Sequence, residues 1–474
     1  MSTEHNFYDG RFVASASQQR IRVFNPATGL EINSVPSATL DEASEAVAAA
    51  KRAQAGWRAL PAIERGNALR RLADTLLAWS DRIGVALAAE SGKSLADATS
   101  EVIYGVELLR YHAEWARRVE GEVIESDNPD EMLVLRREPM GVVACLIPFN
   151  YPIYTLVRKI APALITGNTV VVRPSNNTPV SALVFAQAVQ EADMPAGIIN
   201  ILTMEHDVAG RLCTHPAISM ITLTGSVAAG QVVLDYCKAN IAKPSLELGG
   251  KTPVIVEPDT DLEAIASMIV AAKTSHCGQV CTSPERLYVH RDVHDALLAL
   301  LKKTFKERAF GDRAIDPTAM GPLANKAAQL RIHAMVARAR TEGAVVETGG
   351  YLPAGDGFFY PPTLISGCRQ TMEIVREETF GPVLAVQSYA SFEEALALAS
   401  DHQFGLSSVL FTENYRKAMH AAASIEAGEL YVNRFPADPY QGFHAGWKKS
   451  GLGGDDGKHG MLEFTQTRLV IMKY

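Results

Sequence analysis

The fold of this chain is indicated by the stretch Gly141-Val142-Val143-Ala144-Cys145-Leu146-Ile147-Pro148-Phe149-Asn150-Tyr151-Pro152. Residues 141–147 form a short apolar run of the length of a buried strand, and two prolines bracket the turn before a helical pattern. The alternation continues, with strands predicted at 141–147, 169–173, 198–202 and 219–223 and helices at 152–167, 179–192, 207–213 and 226–239. Alternating strands and helices are typical of a parallel, doubly wound sheet, so the predicted fold class is α/β.

A second series of strands and helices begins at Pro253-Val254-Ile255-Val256 and predicts a separate α/β domain. Its other strands are expected at 286–290 and 344–346, and its helices at 261–275, 293–308, 324–342 and 392–399. Earlier in the chain, the pattern over 40–118 is helical, whereas the polar segment 120–137 is typical of β structure and indicates an excursion or an arm. The tail, 464–474, is predicted to be a strand that pairs elsewhere in the chain or on a partner subunit.

Composition restricts the class of protein. The chain has 474 residues, of which 47% are hydrophobic and 21% charged, which is typical of a soluble α/β protein of two or three domains. A formal net charge of −8 argues against a nucleic-acid surface. The first residues lack the features of a secretory signal, and no apolar run approaches the ~20 residues that span a bilayer, so no membrane role is expected. Six cysteines without paired spacing indicate reduced thiols and a cytoplasmic location.

Three turns follow predicted strands, at the edge where open parallel sheets bind ligands. In the first, Asn150 stands between two prolines and is either a helix cap or an amide aimed at a developing oxyanion. In the second, Arg173 and Ser175 belong either to a solvated loop or to a set of hydrogen-bond donors for a nucleotide ribose or phosphate. In the third, Gly225 and Ser226 begin a helix, where they form either a simple cap or a phosphate site.

Two further side chains are candidates for chemistry. Cys281, in His276-Cys277-Gly278-Gln279-Val280-Cys281-Thr282, is a thiol within a Gly/Gln turn before a predicted strand, which indicates a nucleophile. Glu247 lies between two leucines, so burial is expected to raise its pKa toward the range of a general base. The alternative is an ion pair of Glu247 with Lys243 or Lys251.

The motifs occur in an order that resembles the aldehyde dehydrogenase superfamily: Pro-Phe-Asn, Arg-Pro-Ser, Thr-Gly-Ser-x-x-x-Gly, Glu-Leu-Gly-Gly-Lys, Gly-Gln-Val-Cys and Glu-Glu-Thr-Phe-Gly-Pro. The resemblance extends over nearly the whole chain. It implies that Cys281 attacks the aldehyde carbon to give a thiohemiacetal, while the Asn150 amide and the Cys281 backbone N–H hold the oxyanion. It also implies that Glu247 activates the water that hydrolyses the thioester, and that Lys159 supports the site. No metal is expected.

The same resemblance implies a nicotinamide cofactor, either NAD or NADP. The residues that it assigns to cofactor binding are Ile147, Pro148, Phe149, Arg173, Ser175, Asn176, Gly225, Ser226, Gly249, Glu378 and Phe380. Members of the superfamily that prefer NAD usually carry Glu at the position of Asn176, where the carboxylate would repel a 2′-phosphate. Because Asn176 removes that repulsion, NADP is allowed.

Within the superfamily, segments 441–451 and 111–118 resemble the lactaldehyde/glycolaldehyde dehydrogenase branch. The substrate-binding residues that this branch implies are Asn150, Arg158, Thr282 and His444. Thr282 stands where the branch has Asn, and Phe149 replaces the usual Trp of the family. The branch implies a short hydroxyaldehyde as the substrate, and the two departures leave other short aldehydes open. The alternatives are succinic semialdehyde, a sugar-derived aldehyde, a CoA-acylating aldehyde dehydrogenase and a non-catalytic nucleotide-binding protein.

The resemblance also implies a division of the chain. Residues 1–119 and 141–250 are expected to form the doubly wound NAD(P)-binding domain, and 251–445 the second α/β domain, which is catalytic. Residues 120–140 and 446–474 are expected to form a small β oligomerisation arm with bridging segments. The expected assembly is a homodimer or a homotetramer, and the other partner is a small-molecule aldehyde rather than a nucleic acid or a membrane.

Overall fold

Two open, mainly parallel sheets and a three-stranded antiparallel sheet organise the chain. The computed structural model describes residues 4–474. Its strands are β1 (His5–Tyr8), β2 (Arg11–Ala14), β3 (Arg20–Phe24), β4 (Glu31–Pro36), β5 (Glu122–Ile124), β6 (Glu131–Pro139), β7 (Val142–Leu146), β8 (Thr169–Arg173), β9 (Ile199–Ile201), β10 (Ile218–Thr224), β11 (Lys243–Glu247), β12 (Thr252–Val256), β13 (Pro284–His290), β14 (Val345–Thr348), β15 (Thr363–Ser366), β16 (Val383–Tyr389), β17 (Phe404–Gly405), β18 (Ser407–Phe411), β19 (Glu429–Val432), β20 (Trp447–Lys448), β21 (Gly451–Leu452) and β22 (Thr465–Lys473). Its helices are α1 (Leu40–Ala59), α2 (Ala62–Ala78), α3 (Ser80–Ser91), α4 (Leu95–Ala113), α5 (Pro152–Ile165), α6 (Val180–Glu191), α7 (His206–Cys213), α8 (Val227–Cys237), α9 (Leu262–Thr274), α10 (His294–Glu307), α11 (Lys326–Thr341), α12 (Glu373–Arg376), α13 (Phe392–Ser400), α14 (Tyr415–Ser424) and α15 (Gly457–Glu463).

The first sheet has the strand order β2-β1-β9-β8-β7-β10-β11-β21. Strands β9, β8, β7, β10 and β11 are parallel, and β1 and β21 join them in antiparallel orientation on the two sides. Every residue of β8 is buried, because helices α2 to α6 cover one face of the sheet and helices α1, α7 and α8 cover the other. A sheet covered on both faces explains the continuous apolar runs in the sequence.

The second sheet has the strand order β14-β15-β16-β13-β12-β18-β19. All of its strands are parallel except β14, which pairs with β15 in antiparallel orientation. Helices α9 and α10 pack on one face, and α13 and α14 pack on the other. Only a short crossover separates Glu247, the last residue of β11, from Thr252, the first residue of β12. The carboxyl ends of the first sheet therefore lie close to the amino ends of the second.

The antiparallel sheet, with the order β22-β6-β5, forms an arm. The C-terminal strand β22 pairs with β6 along its whole length, from Thr465 opposite Pro139 to Lys473 opposite Glu131. The tail strand, whose partner the sequence leaves open, therefore pairs within its own chain. Large apolar side chains of the arm are exposed, among them Val123, Leu469 and Ile471.

The helix ends follow the capping chemistry of their sequences. The Thr39 hydroxyl accepts a hydrogen bond from the Glu42 backbone N–H, and the Glu42 carboxylate accepts one from the Thr39 backbone N–H, which is a capping box at the start of α1. Helix α5 begins with Pro152 and is buried on nearly every side, which explains its largely apolar sequence. Among residues 4–474, no helix combines the length and the apolarity needed to cross a membrane.

The predicted α/β class is confirmed, and the helices and strands predicted from 141 to 346 lie within a few residues of their expected bounds. The domain boundaries stay a prediction, in which residues 446–474 contribute both to the arm and to bridging segments. Residues 446–474 do not belong to the arm as a whole, because β21 extends the first sheet beside β11 and β20 pairs with β17. Two-residue strands are too short to show a periodic pattern, so the sequence does not reveal them.

A buried carboxylate ties the second sheet to the loop that follows α12. Glu285, in β13, accepts a hydrogen bond from Lys251 Nζ at 2.6 Å and lies 3.8 Å from Lys273 Nζ. Its two oxygens also accept hydrogen bonds from the backbone N–H groups of Thr379 and Phe380, each at 2.8 Å. All three charged side chains are buried, so the two lysines depend on this one carboxylate for compensation.

Replacing Glu285 by Gln should destabilise the protein strongly, because it leaves Lys251 and Lys273 buried without an opposite charge. We expect a loss of about 3–5 kcal/mol, seen as a fall of several degrees in the Tm measured by scanning calorimetry. The control is Glu307→Gln, which changes an exposed glutamate at the end of α10 and should shift stability by less than about 0.5 kcal/mol. Equal Tm values for the two variants would contradict this account of Glu285.

Candidate active site

Cys281 lies in the turn between a short 3₁₀ helix, Ser275–Gly278, and strand β13. Three consecutive residues before it have positive φ: His276 at 42°, Cys277 at 58° and Gly278 at 70°. A Cβ atom at Gly278 would lie 2.3 Å from the carbonyl oxygen of Gly381, so only glycine fits there. Backbone strain of this kind persists only where the surrounding structure holds it, as at functional sites.

The side chains of Cys281, Glu247 and His444 converge. One ligand-type atom from each, the sulfur, a carboxylate oxygen and a ring nitrogen, lies within 4.8 Å of the other two. Glu247 ends β11 of the first sheet, whereas Cys281 precedes β13 of the second. The sequence-predicted nucleophile and general base are thus brought together where the two sheets meet.

Asn150 lies in the turn between β7 and α5 and is buried. Its side-chain N–H donates a hydrogen bond at 3.0 Å to the carbonyl oxygen of Gln279, two residues before Cys281. The Asn150 amide therefore lies at the turn that contains Cys281. Its second N–H takes no part in the bond to Gln279. Tyr151 rather than Asn150 occupies the position before α5, so Asn150 is not the helix cap.

His444 is buried between carboxylates of the two sheets. Its Nδ1 lies 2.9 Å from a Glu429 oxygen, at the start of β19, and its Nε2 lies 3.5 Å from a Glu247 oxygen. Asp438 is a further carboxylate, 3.9 Å from Nδ1. The sequence assigns His444 to substrate binding; the structure places it directly beside the proposed nucleophile and base.

The prediction that burial raises the pKa of Glu247 is wrong. Burial does act in that direction, but the positively charged His444, with Lys159 and Arg158 farther away, outweighs it and holds the pKa below its ordinary value. The pKa of His444 is in turn raised well above its usual range, because Asp438 and Glu429 overcome the effect of burial. Glu247 is thus a carboxylate at neutral pH, facing an imidazolium.

The ion pairs suggested for Glu247 from the sequence are absent among residues 4–474. Lys243 binds Glu463 at 2.9 Å, and Lys251 binds Glu285. The partner of Glu247 is His444, which is distant in sequence and therefore invisible to any local pattern.

Cys281 is a protonated thiol at neutral pH. Burial raises its pKa to about 12, the negative charge of Glu247 adds to that effect, and the contact with His444 partly offsets it. A reaction at Cys281 therefore requires a proton acceptor, and the ionised Glu247 lies beside it. Thr282, the next residue, is also buried.

Two consecutive cations on α5, Arg158 and Lys159, form ion pairs with acids that adjoin the site. Lys159 donates to Asp455 at 2.7 Å, and the backbone of Asp455 is hydrogen-bonded in both directions to that of His444. Arg158 donates to Asp456 at 2.5 Å and to Asp438 at 2.8 Å. Lys159 thus acts on the site through Asp455 and His444. Arg158 is already committed to two carboxylates.

Sequence reasoning missed the acids around these cations. Asp455 and Asp456 follow two glycines, a composition typical of an exposed turn, and both are nevertheless buried. A pair of adjacent acids close behind His444 in the chain was the available signal. Glu429 and Asp438 carried no local signal, because their partners lie on other elements.

A polar cluster occupies the carboxyl ends of β8 and β9. Arg173 donates to the Asn176 side-chain oxygen at 2.7 Å and to the Met204 carbonyl oxygen at 3.2 Å. Asn176 in turn donates at 2.8 Å to the carboxylate of Glu205. The sequence predicts Arg173, Ser175 and Asn176 at this edge but misses Glu205. The position of Glu205 just after the predicted strand 198–202 could have indicated that it belongs to this cluster.

The turn after β10 also carries polar groups, at the residues that the sequence predicts to bind the cofactor. Ser226 caps α8, since its hydroxyl accepts a hydrogen bond from the Ala229 N–H at 3.2 Å. Its contacts within the chain are therefore those of a simple helix cap. Among residues 4–474, the Nε of Arg173 and the hydroxyl of Thr224 are buried polar atoms without a hydrogen-bond partner. Unsatisfied donors at these strand ends fit a ligand that brings its own acceptors, as a dinucleotide does.

A tight contact joins the loops on the other side of Cys281. The Glu378 carboxylate accepts from the Gly250 N–H at 2.9 Å, and a Cβ atom at Gly249 would lie 2.4 Å from Glu378 Oε2. Burial raises the pKa of Glu378 to about 8, with a further contribution from Glu285. Phe380 packs edge-on against Phe149, with ring centroids 5.9 Å apart. These predicted cofactor residues therefore lie together, next to Ile147 and Pro148 at the end of β7.

Known proteins and a solved structure resemble this chain over nearly its whole length. A model of the aldehyde dehydrogenase family matches residues 12–470. Lactaldehyde dehydrogenase of Escherichia coli (strain K12) is 42% identical over 473 residues, which cover 99% of each chain. D-glyceraldehyde dehydrogenase (NADP(+)) of Thermoplasma acidophilum is 34% identical over 475 residues, which cover 99% of this chain and 96% of the relative. A crystal structure of lactaldehyde dehydrogenase from Escherichia coli matches with a TM-score of 0.98 at 42% identity, covering 99% of each chain.

Proposed function

The chain belongs to the aldehyde dehydrogenase family, and we propose that it oxidises a short hydroxyaldehyde, such as lactaldehyde or glycolaldehyde, to the carboxylic acid. It is an NAD(P)-dependent oxidoreductase that acts on an aldehyde group. The observation that carries the proposal is the convergence of Cys281, Glu247 and His444, with the Asn150 amide bonded into the same turn. These groups supply a nucleophile, a base and a hydrogen-bond donor to one reacting carbon.

The first step joins Cys281 to the substrate. Its sulfur attacks the aldehyde carbon while the thiol proton passes to Glu247, whose low pKa keeps it ionised and ready to accept. The carbonyl oxygen becomes an oxyanion of the thiohemiacetal, held by the free N–H of Asn150 and by the Cys281 backbone N–H. The Gln279 carbonyl, which binds the other N–H of Asn150, keeps that amide aimed at the turn.

The second half of the reaction releases the acid. A nicotinamide cofactor would supply the hydride acceptor that conversion of the thiohemiacetal to a thioester requires. Glu247, once it has released the thiol proton to solvent, takes a proton from water, which attacks the thioester carbon, and the Cys281 thiolate leaves. Release by water rather than by CoA follows from Glu247, because a base at this place activates water.

The charge around the substrate side favours a neutral aldehyde. Arg158, Lys159 and His444 are the cations of this region, and all three are compensated by carboxylates, those of Asp438, Asp455, Asp456 and Glu429. A substrate that carries its own carboxylate, such as succinic semialdehyde, would meet these acids without a free positive partner. A small hydroxyl group needs only a hydrogen bond, and we propose that His444 and Thr282 give it.

The cofactor residues are those at the ends of β7, β8 and β10. Arg173, Ser175 and Asn176 would hold the adenosine side, and Gly225 with Ser226 the pyrophosphate at the start of α8. The Glu205 carboxylate, bonded to Asn176, stands near the position where NAD-preferring relatives carry Glu. It would repel a 2′-phosphate, so we favour NAD over NADP.

The arm would join copies of the chain. Its exposed apolar residues, Val123, Leu469 and Ile471, lie on a single antiparallel sheet, as expected of a surface buried in a homodimer or a homotetramer. A cytoplasmic location is consistent with the absence of disulfides among residues 4–474, where all six cysteines are free.

Glu247→Gln should trap the acyl enzyme, since the thiol can still lose its proton slowly to solvent and form the thioester, whereas the amide cannot deprotonate the water that would release it. We expect steady-state turnover to fall about 10²- to 10⁴-fold, while intact-mass spectrometry shows the chain carrying the acyl group after incubation with aldehyde and cofactor. The double variant Cys281→Ser, Glu247→Gln is the control and should remain unlabelled. Unchanged turnover in Glu247→Gln would refute the role given to this carboxylate.

The substrate is tested by initial rates with lactaldehyde, glycolaldehyde, D-glyceraldehyde and succinic semialdehyde, each with NAD and with NADP. A hydroxyaldehyde should give the highest kcat/KM, because the site compensates no substrate carboxylate. A higher kcat/KM for succinic semialdehyde than for every hydroxyaldehyde would overturn the proposed substrate class. Absence of NAD(P)H formation with all four would point to a different aldehyde.

Glu205→Gln should raise kcat/KM with NADP by about five- to tenfold, because it removes one carboxylate close to the 2′-phosphate, worth about 1 kcal/mol in a partly exposed place. Asp207→Asn, which changes an exposed acid on the neighbouring helix α7, is the matched control and should leave the NADP/NAD ratio unchanged. The ratio of kcat/KM values for the two cofactors is the measurement. An equal response of both variants would assign the effect to net charge alone.

A further inference from the structure

The cluster of Cys281, His444 and Glu247 has the composition of a metal site. We infer that the sulfur of Cys281, Nε2 of His444 and a carboxylate oxygen of Glu247 together bind Zn²⁺, and that zinc bound there blocks aldehyde oxidation. The inhibitory part of this inference rests on the proposed function, because it assumes that the same side chains do the chemistry. The binding part rests on the geometry alone.

The three ligand atoms are already close together. They lie within 4.8 Å of one another, and Nε2 of His444 is 3.5 Å from the Glu247 oxygen. Ligands on a tetrahedral zinc ion, with bonds of about 2.0–2.3 Å, are separated by about 3.3–3.8 Å, so the most distant pair of these atoms needs to approach by about 1 Å at most. Small side-chain adjustments are therefore enough to coordinate an ion, and the fourth position stays open to water.

Two of the three ligand atoms have unmet bonding capacity. Glu247 Oε1 and His444 Nε2 are both buried, and within residues 4–474 they make no hydrogen bond, although they face each other as an ion pair at 3.5 Å. His444 is 1% exposed and Glu247 2%, so solvent does not satisfy them either. Buried polar atoms aimed at one point without a partner indicate a ligand between them.

The imidazole is also oriented as in zinc sites. Nδ1 of His444 lies 2.9 Å from Glu429, which leaves Nε2 directed at Cys281 and Glu247. A carboxylate behind a metal-binding histidine fixes the tautomer and the ring orientation, and such outer carboxylates typically change metal affinity 10- to 100-fold. Glu429 therefore belongs to the site although it does not touch the ion.

The donor set selects the kind of cation. A thiolate, an imidazole and a carboxylate suit Zn²⁺ and similar borderline ions, whereas Mg²⁺ and Ca²⁺ prefer oxygen ligands throughout. A second group, Glu429, Asp438 and His444, shares the histidine but offers no sulfur, and its Glu429 oxygen is already bonded to Nδ1. The set that contains Cys281 is therefore the one that zinc would take.

Occupation of this set would stop the reaction. The sulfur electron pair that attacks the aldehyde carbon would bind the ion instead, and Glu247 would no longer accept a proton. Binding is an exchange without oxidation or reduction: Zn²⁺ enters, and the protons of the Cys281 thiol and of His444 Nε2 leave to solvent. Removal of the metal by a chelator should therefore restore activity fully.

The direct test uses Co²⁺ as a spectroscopic substitute for zinc on the full chain, treated with EDTA and kept reduced. Titration should produce the thiolate-to-cobalt charge-transfer band with one ion per chain, and Zn²⁺ should displace it. Cys281→Ser should abolish the band, and His444→Gln should weaken Co²⁺ binding at least tenfold. Glu429→Gln, which retains all three ligands, should weaken binding about 10- to 100-fold.

Two variants serve as matched controls outside the site. His459→Gln changes an exposed histidine of α15, and Cys237→Ser changes the last residue of α8. Both should keep the cobalt band, the wild-type rate of aldehyde oxidation and its reversible inhibition by Zn²⁺.

The outcomes separate this inference from the proposed function. If the wild type oxidises aldehydes but gives no thiolate-to-cobalt band, or gives one that survives in both His444→Gln and Glu429→Gln, the metal site is refuted and the function stands. If the band forms and depends on His444 and Glu429 while no aldehyde is oxidised, the metal site stands and the function fails. Activity that persists with the site fully loaded by Zn²⁺ would overturn the inhibitory part.

Discussion

One imidazole, held between carboxylates that come from different sheets, is the interaction on which the site depends. His444 contacts Glu429 of the second sheet through Nδ1 and faces Glu247 of the first through Nε2. Its positive charge outweighs the effect of burial, which raises the pKa of Glu247, and holds that pKa below its ordinary value. Lys159 reaches the same residue through Asp455, so the cations and anions of this region form one alternating set whose members are all buried or nearly so.

Much of the fold could be predicted because it follows from local patterns. Continuous apolar runs such as β7 and β8 mark strands that helices cover on both faces, and the turn residues between them punctuate the series. The short strands are different. Strand β21 exists because the chain returns to the edge of β11, and a two-residue strand has no periodicity from which that return could be seen.

A site residue could be predicted where its own side chain and its neighbours in the sequence indicate its chemistry. It could not be predicted where a contact with a residue distant in the sequence sets its properties. The thiol of Cys281 in a glycine-containing turn and the isolated Glu247 were visible in the sequence. The pKa of Glu247 was predicted in the wrong direction, since the sequence shows its leucine neighbours but not His444. Glu205 was missed for a similar reason, because its importance comes from the contact with Asn176 across two strands.

Because the chain returns to the first sheet near its end, the residues of the candidate site are synthesised at different times. Cys281 and Glu247 leave the ribosome well before His444, Asp455 and the strands β21 and β22 that close the sheet edge and the arm. A nascent chain lacking these residues has the thiol but neither the imidazole nor the lysine partner that organise it. The candidate site is therefore completed only when the last part of the chain has been synthesised.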